Sequence, residues 1–169
     1  MIVVLTGVSG AGKSTVGKEL AERLGWDFFD ADHFHPDENI ERMSSGVALT
    51  DEDRQPWLET LKALIDARLR LDADAVLACS ALKTAYRNML GAQNAQVKFV
   101  LLDLDVSDLS ERLQNRKDHF MDARLLGSQV QTLEVDDALV VIDASKPPDE
   151  VVADVITTLG LGASNTESS

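Results

Sequence analysis

The hydrophobic and polar positions of this chain form short apolar runs separated by longer stretches of helical period. Ile2–Leu5, Ala75–Ala78, Val97–Leu102 and Ala138–Ile142 are short apolar runs rich in Val and Leu. Such runs mark strands covered on both faces, as in a parallel sheet. Trp26–Phe29 is a weaker fifth candidate. Apolar residues at helical spacing predict helices over about Lys13–Leu24, Trp57–Leu71, Lys83–Leu90, Ser107–Asn115, Ala123–Thr132 and Pro148–Leu159. The alternation gives an α/β fold, a three-layer sandwich around about five parallel strands. Two segments interrupt it. Asp30–Gln55 is polar and is expected to loop out at the carboxyl end of the second strand, where such sheets carry their sites. Arg112–Arg124 gathers Arg112, Arg116, Lys117, His119 and Arg124 and is a candidate mobile lid over phosphate, about residues 112–124. Residues 1–159 read as one domain, and 160–169 as a polar tail expected to be disordered.

The turn after the first strand reads Gly7-Val8-Ser9-Gly10-Ala11-Gly12-Lys13-Ser14, and Thr15 follows as the helix opens. This is a P-loop, G-x-x-x-x-G-K-S, in the strand-to-helix context the motif needs. Its glycines let successive backbone N–H groups face phosphate oxygens, and the positive end of the helix dipole adds to them. In that role Lys13 reaches the β- and γ-phosphates and Ser14 offers its hydroxyl to Mg²⁺. Neither N-K-x-D nor D-x-x-G occurs in the chain, so ATP is expected rather than GTP.

Charge narrows the partners. A net charge of −13 over 169 residues repels polyanions, so nucleic acid is not an expected partner. No run approaches the ~20 apolar residues of a membrane span. The first apolar run lacks a basic flank and leads straight into the P-loop, so it reads as a strand and not a signal peptide. A single cysteine, Cys79, leaves no internal disulfide and fits a reducing cytoplasm.

Acids and cations after the strands supply candidate chemistry. Asp30 and Asp32 follow the second strand and, if extended, share one face. One of them could hold Mg²⁺ beside Ser14 while the other accepts a hydroxyl proton, or the two could simply cap a turn. His35 either hydrogen-bonds substrate hydroxyls or caps the turn before Pro36. Arg54 is a carboxylate anchor or a surface ion pair. Lys83 and Arg87, one helical turn apart, need an anion unless they lie on a solvated face. With Arg54 they favour an anionic, hydroxylated small substrate.

In order along the chain, these segments resemble the bacterial gluconokinases, small P-loop kinases related to shikimate kinase. The resemblance runs from Ile2 to about Leu159 and is carried by the P-loop together with five later segments. These are Asp30-Ala31-Asp32-His33-Phe34-His35-Pro36, Asn39–Gly46, Leu49–Leu58 with its Asp-Arg-Gln-Pro-Trp-Leu, Cys79-Ser80-Ala81-Leu82-Lys83 with Tyr86-Arg87, and Arg116-Lys117-Asp118-His119-Phe120. It implies a P-loop kinase fold, ATP with Mg²⁺, phosphorylation of D-gluconate to 6-phospho-D-gluconate, a cytoplasmic location and a homodimer. By further similarity to shikimate kinase, Asp30 falls on the magnesium side, Asp32 on the substrate hydroxyl and Arg54 near the substrate carboxylate. Arg116 is the expected lid arginine for the moving phosphoryl group, and Arg112, about one turn earlier, is expected over the adenine. Lys83 and Arg87 are expected to bind substrate. The alternatives are another small-metabolite kinase, such as shikimate kinase, or a nucleotide-dependent regulatory switch without transfer activity.

Overall fold

The computed structural model describes residues 1–115 and 126–162. Five parallel strands stand in the order β2-β3-β1-β4-β5: β1 is Ile2–Thr6, β2 Asp27–Asp30, β3 Ala75–Ala78, β4 Val97–Asp103 and β5 Leu139–Asp143. The central strand β1 pairs with β3 through Val3↔Val76 and with β4 through Val3↔Lys98. Chain order reverses on either side of β1, so the P-loop leaves the sheet at its switch point, where a crevice opens beyond the strand ends.

Alternation along β1 divides the core. Val3 and Leu5 pack with α1 (Lys13–Leu24) and α7 (Pro148–Leu159), whereas Ile2 and Val4 pack with α3 (Asp51–Arg70) and α4 (Thr84–Leu90). Helices α1 and α7 cover the expected residues. Close approach of α1 to the sheet depends on Gly17, where a Cβ would lie 2.6 Å from the Phe28 ring. Between β4 and β5 run α5 (Val106–Gln114) and α6, described over Leu126–Thr132. Residues 116–125 of the expected lid, with Arg116, Lys117, His119 and Arg124, lie outside the described residues, as do 163–169. The Leu161 N–H donates to Ile156 O, and Leu161 packs on the core beyond the left-handed Gly160 that ends α7.

The segment read as a polar loop is helical. A 3₁₀ turn covers Ala31–Phe34, α2 covers Asp37–Ser44, and α3 begins at Asp51, well ahead of the expected start at Trp57. Pro56 lies inside α3 and removes one backbone donor, which a capping box at the helix start outweighs. The Thr50 side chain accepts from the Asp53 N–H and the Asp53 carboxylate accepts from the Thr50 N–H, while Asp51, Glu52 and Asp53 meet the positive end of the helix.

Candidate active site

The P-loop curls because its glycines occupy backbone space that side chains avoid. Gly7 has φ +140°, and a Cβ there would lie 3.1 Å from Leu102 O; Gly12, at φ +94°, starts α1. Lys13 Nζ folds back over the loop and donates to Gly7 O at 2.9 Å and Val8 O at 3.0 Å. Val8 and Ala11 are buried in the core, and Thr15 is exposed on α1. Ser9, Gly10, Gly12, Lys13 and Ser14 line a cleft whose other walls include Asp30, Asp32, His35, Arg54 and Trp57. Nucleotide-side and acceptor-side candidates therefore share one space.

Asp30 and Asp32 reach the cleft differently from the expectation. They do not share one face of an extended strand, because the chain turns into the 3₁₀ helix directly after Asp30. Asp30 Oδ1 accepts from the Asp32 N–H at 3.0 Å, and Oδ2 accepts from Ser14 Oγ at 2.7 Å. Asp30 is thus both a cap and the carboxylate beside the P-loop hydroxyl, and Asp32, two residues later, also lines the cleft. A hydroxyl and one carboxylate suit Mg²⁺, which keeps most of its waters and takes few ligands from protein.

His35 stacks on Trp57 with ring centroids 4.2 Å apart and an interplanar angle of 11°, and its Nδ1 lies 3.4 Å from Asn39 Nδ2. Burial pushes its pKa down to about 4; the Asp32 charge opposes this and the Arg54 charge adds to it. His35 is therefore neutral near pH 7, able to offer one ring donor or acceptor without adding charge. Trp57 is anchored in turn by its indole N–H, which donates to Ala31 O at 2.7 Å.

The cations separate into distinct roles. Arg54 lines the cleft, its Nη1 donating to Leu49 O at 2.8 Å and to Tyr86 Oη at 3.1 Å. Lys83 lies outside the cleft lining and pairs with Asp51 at 2.9 Å, and the Tyr86 hydroxyl donates to the same carboxylate. The Tyr86 bond, then Lys83, hold Asp51 below the usual carboxylate range. Arg87 also lies outside the cleft lining. It is fully buried, and Nη1 donates to Ala81 O (2.8 Å) and Leu82 O (3.1 Å). Nη2 donates to Thr84 Oγ1 (3.1 Å), Glu134 O (2.6 Å) and Asp136 (2.9 Å). The anions sought for Lys83 and Arg87 are the protein's own Asp51 and Asp136. On the nucleotide side, Arg112 Nη2 donates to Ala144 O at 2.9 Å while Nη1 lies 3.5 Å from Gly10 O and 3.4 Å from Ala11 O, tying α5 to the P-loop and the turn after β5.

Sequence reasoning did not single out Asn39, Trp57, Tyr86 or Gln129. Trp57 and Tyr86 carry a signal only in the segments that support the resemblance, and Gln129 carries none.

Comparison with known proteins agrees with this geometry. Residues 9–159 match the family model described as shikimate kinase. The chain is 44% identical to a gluconokinase of Gluconobacter oxydans (strain 621H) over 157 residues, which is 91% of this chain and 88% of that protein. Among solved structures, an unliganded sugar kinase from Janibacter sp. HTCC2649 superposes with a TM-score of 0.89 at 39% identity, covering 99% of this chain and 98% of that one. A gluconokinase from Sinorhizobium meliloti 1021 superposes with a TM-score of 0.80 at 41% identity, covering 94% and 90%. Identity of this extent to gluconokinases does not favour the shikimate kinase alternative. The P-loop, the acid pair beyond β2 and similarity along nearly the whole chain place this protein in the gluconokinase family, within the shikimate kinase type of P-loop kinases.

Proposed function

We propose that this chain transfers the γ-phosphoryl group of ATP to the terminal hydroxyl of D-gluconate, giving 6-phospho-D-gluconate and ADP. The observation that carries the reading is the single cleft lined by Lys13 and Ser14 on one side and by Asp32, His35 and Arg54 on the other. The hydroxyl oxygen attacks the γ-phosphorus, the bond from that phosphorus to the β,γ-bridging oxygen breaks, and ADP leaves with the bonding pair. Asp32 accepts the hydroxyl proton. Lys13 exchanges its two loop carbonyls for phosphate oxygens, which carry full charge and hold an ammonium group more strongly. Arg54 meets the substrate carboxylate, and neutral His35 hydrogen-bonds its hydroxyls.

Ser14 and Asp30 would hold Mg²⁺, whose contribution is to neutralise phosphate charge. Arg112 belongs to the nucleotide side, and Arg116 is assigned to the moving phosphoryl group, where an arginine can contribute about 10³–10⁵ in rate. Cytoplasmic location and a homodimer belong to the same reading and rest on the family resemblance. The test is ADP formation from ATP and Mg²⁺ across a panel of gluconate, other sugar acids and shikimate. Turnover with gluconate and background rates with shikimate are expected. No gluconate-dependent ADP from folded protein would overturn the assignment.

A further inference from the structure

Helix α3 holds the His35 ring from two directions. Trp57 fixes its plane by the stack, and Asp53, one turn earlier in the same helix, anchors the side chain that meets its edge. That side chain is Asn39, buried on α2. Its Nδ2 donates to Asp53 O at 2.8 Å and lies 3.4 Å from His35 Nδ1. A backbone carbonyl only accepts, so the carboxamide atom facing Asp53 O is the nitrogen, and what the same nitrogen turns to His35 is a second N–H. A proton on Nδ1 would set two donors against each other. Nδ1 is therefore the acceptor, and in the neutral ring the proton sits on Nε2. The anchor is itself fixed, because Asp53 closes the capping box that starts α3 and its carboxylate pairs with Arg42 at 3.0 Å. His35 lines the cleft and Asn39 does not, which leaves Nε2 as the ring nitrogen to meet a ligand.

We propose that Asn39 is a positioning residue that sets the His35 tautomer, so that Nε2–H donates to a hydroxyl oxygen of the substrate. The direction of that bond matters. An imidazole with its lone pair at Nε2 would compete with Asp32 for the proton of a nearby hydroxyl. Burial keeps the ring uncharged near pH 7, and a neutral ring has one lone pair. Asn39 takes it. The ring can then only donate toward the cleft, and a hydroxyl that accepts from it keeps its own proton for a carboxylate. Asp32, whose charge acts on the ring, is the cleft carboxylate placed to receive it. A donor beside an acceptor reads a hydroxyl in one sense, which orients a polyhydroxylated substrate without adding charge.

The inference rests on the reading that this cleft binds gluconate as the acceptor, but its first measurement needs no substrate. Long-range proton–nitrogen NMR correlations of the histidine rings at pH 7 distinguish a protonated ring nitrogen from one that carries a lone pair. For His35 the proton is expected on Nε2 and the lone pair on Nδ1, and a proton on Nδ1 would overturn the proposal whether or not any variant folds. Asn39→Asp replaces the donor with an acceptor, so Nδ1 should gain a proton. A merely structural Asn39 would leave the ring protonated as in wild type, and that result in the folded variant would also overturn it. Kinetics then test whether the donor is used. His35→Gln keeps a donor and should hold the KM for gluconate within about threefold, whereas His35→Met has none and should raise it about tenfold, the worth of one hydrogen bond, with the KM for ATP unchanged. A wild-type KM for gluconate in His35→Met would refute donation to the substrate. Should the wild-type protein not turn over gluconate, the assignment of substrate fails alone, because the spectra still decide the tautomer.

Discussion

Replacing Arg87 with methionine distinguishes a buried clamp from a substrate ligand. Methionine fills much of the side-chain volume but donates nothing. Of the acceptors Arg87 serves, Leu82 O retains the Glu134 N–H, and Asp136 retains Thr84 Oγ1 and the Ala138 N–H. Ala81 O keeps only a 3.4 Å approach from Thr6 Oγ1, and Glu134 O keeps no partner among the described residues. Two stranded carbonyls at about 1–3 kcal/mol each give a loss of roughly 2–6 kcal/mol. That range overlaps the 3–5 kcal/mol typical of breaking a buried ionic contact by removing one partner. In a domain of this size the melting temperature should fall by roughly 5–20 °C. Urea denaturation followed by tryptophan fluorescence gives the free energy, and initial rates at varied gluconate give KM. KM should stay within about threefold, since the partners of Arg87 are Ala81, Leu82, Thr84, Glu134 and Asp136 and not the acceptor-side Asp32, His35 and Arg54. A loss below about 1 kcal/mol with a tenfold or greater rise in the KM for gluconate would refute the clamp and restore Arg87 as a ligand.

Lys13→Ala should abolish most transfer, because it removes the ammonium group that folds over the P-loop to meet the phosphates; near-normal turnover would show that ATP binds elsewhere. Asp32→Asn should lower kcat far more than ATP affinity, and Asp30→Asn should instead raise the Mg²⁺ concentration needed for half-maximal rate; the reverse pattern would exchange their roles. His35 should titrate near pH 4 by NMR, not near 6.5. With its folded pKa depressed, the unfolded chain takes up this proton first. The His35 contribution to stability is therefore complete above about pH 6.5 and declines as pH falls toward 4. Comparing denaturation midpoints of wild type and His35→Gln at pH 7 and pH 5 checks the sign, and a steeper acid loss in the variant would contradict it.

Local, contiguous signals decided much of this protein. The apolar runs located all five strands to within a residue or two, since a doubly covered strand needs little more than a short block of Val, Leu and Ala. The P-loop was legible for the same reason, its glycine conformations and helix start being encoded in eight successive residues. Where an interaction joins distant residues, sequence could name the chemistry but not assign it. Lys83 and Arg87 are one turn apart in sequence, yet one pairs with Asp51 near the surface and the other is wholly buried against Glu134 and Asp136. Asp30 and Asp32 were placed beside the P-loop by strand order, but the 3₁₀ turn between them decided which carboxylate meets Ser14. Gln129 has no motif of its own. It joins the cleft only because the order β2-β3-β1-β4-β5 brings the chain after β4 back over the P-loop, where one amide oxygen meets the N–H of Ser9. Strand and turn propensities act over a few residues, whereas partners for buried charges and loop N–H groups are fixed when the sheet closes the distance between them.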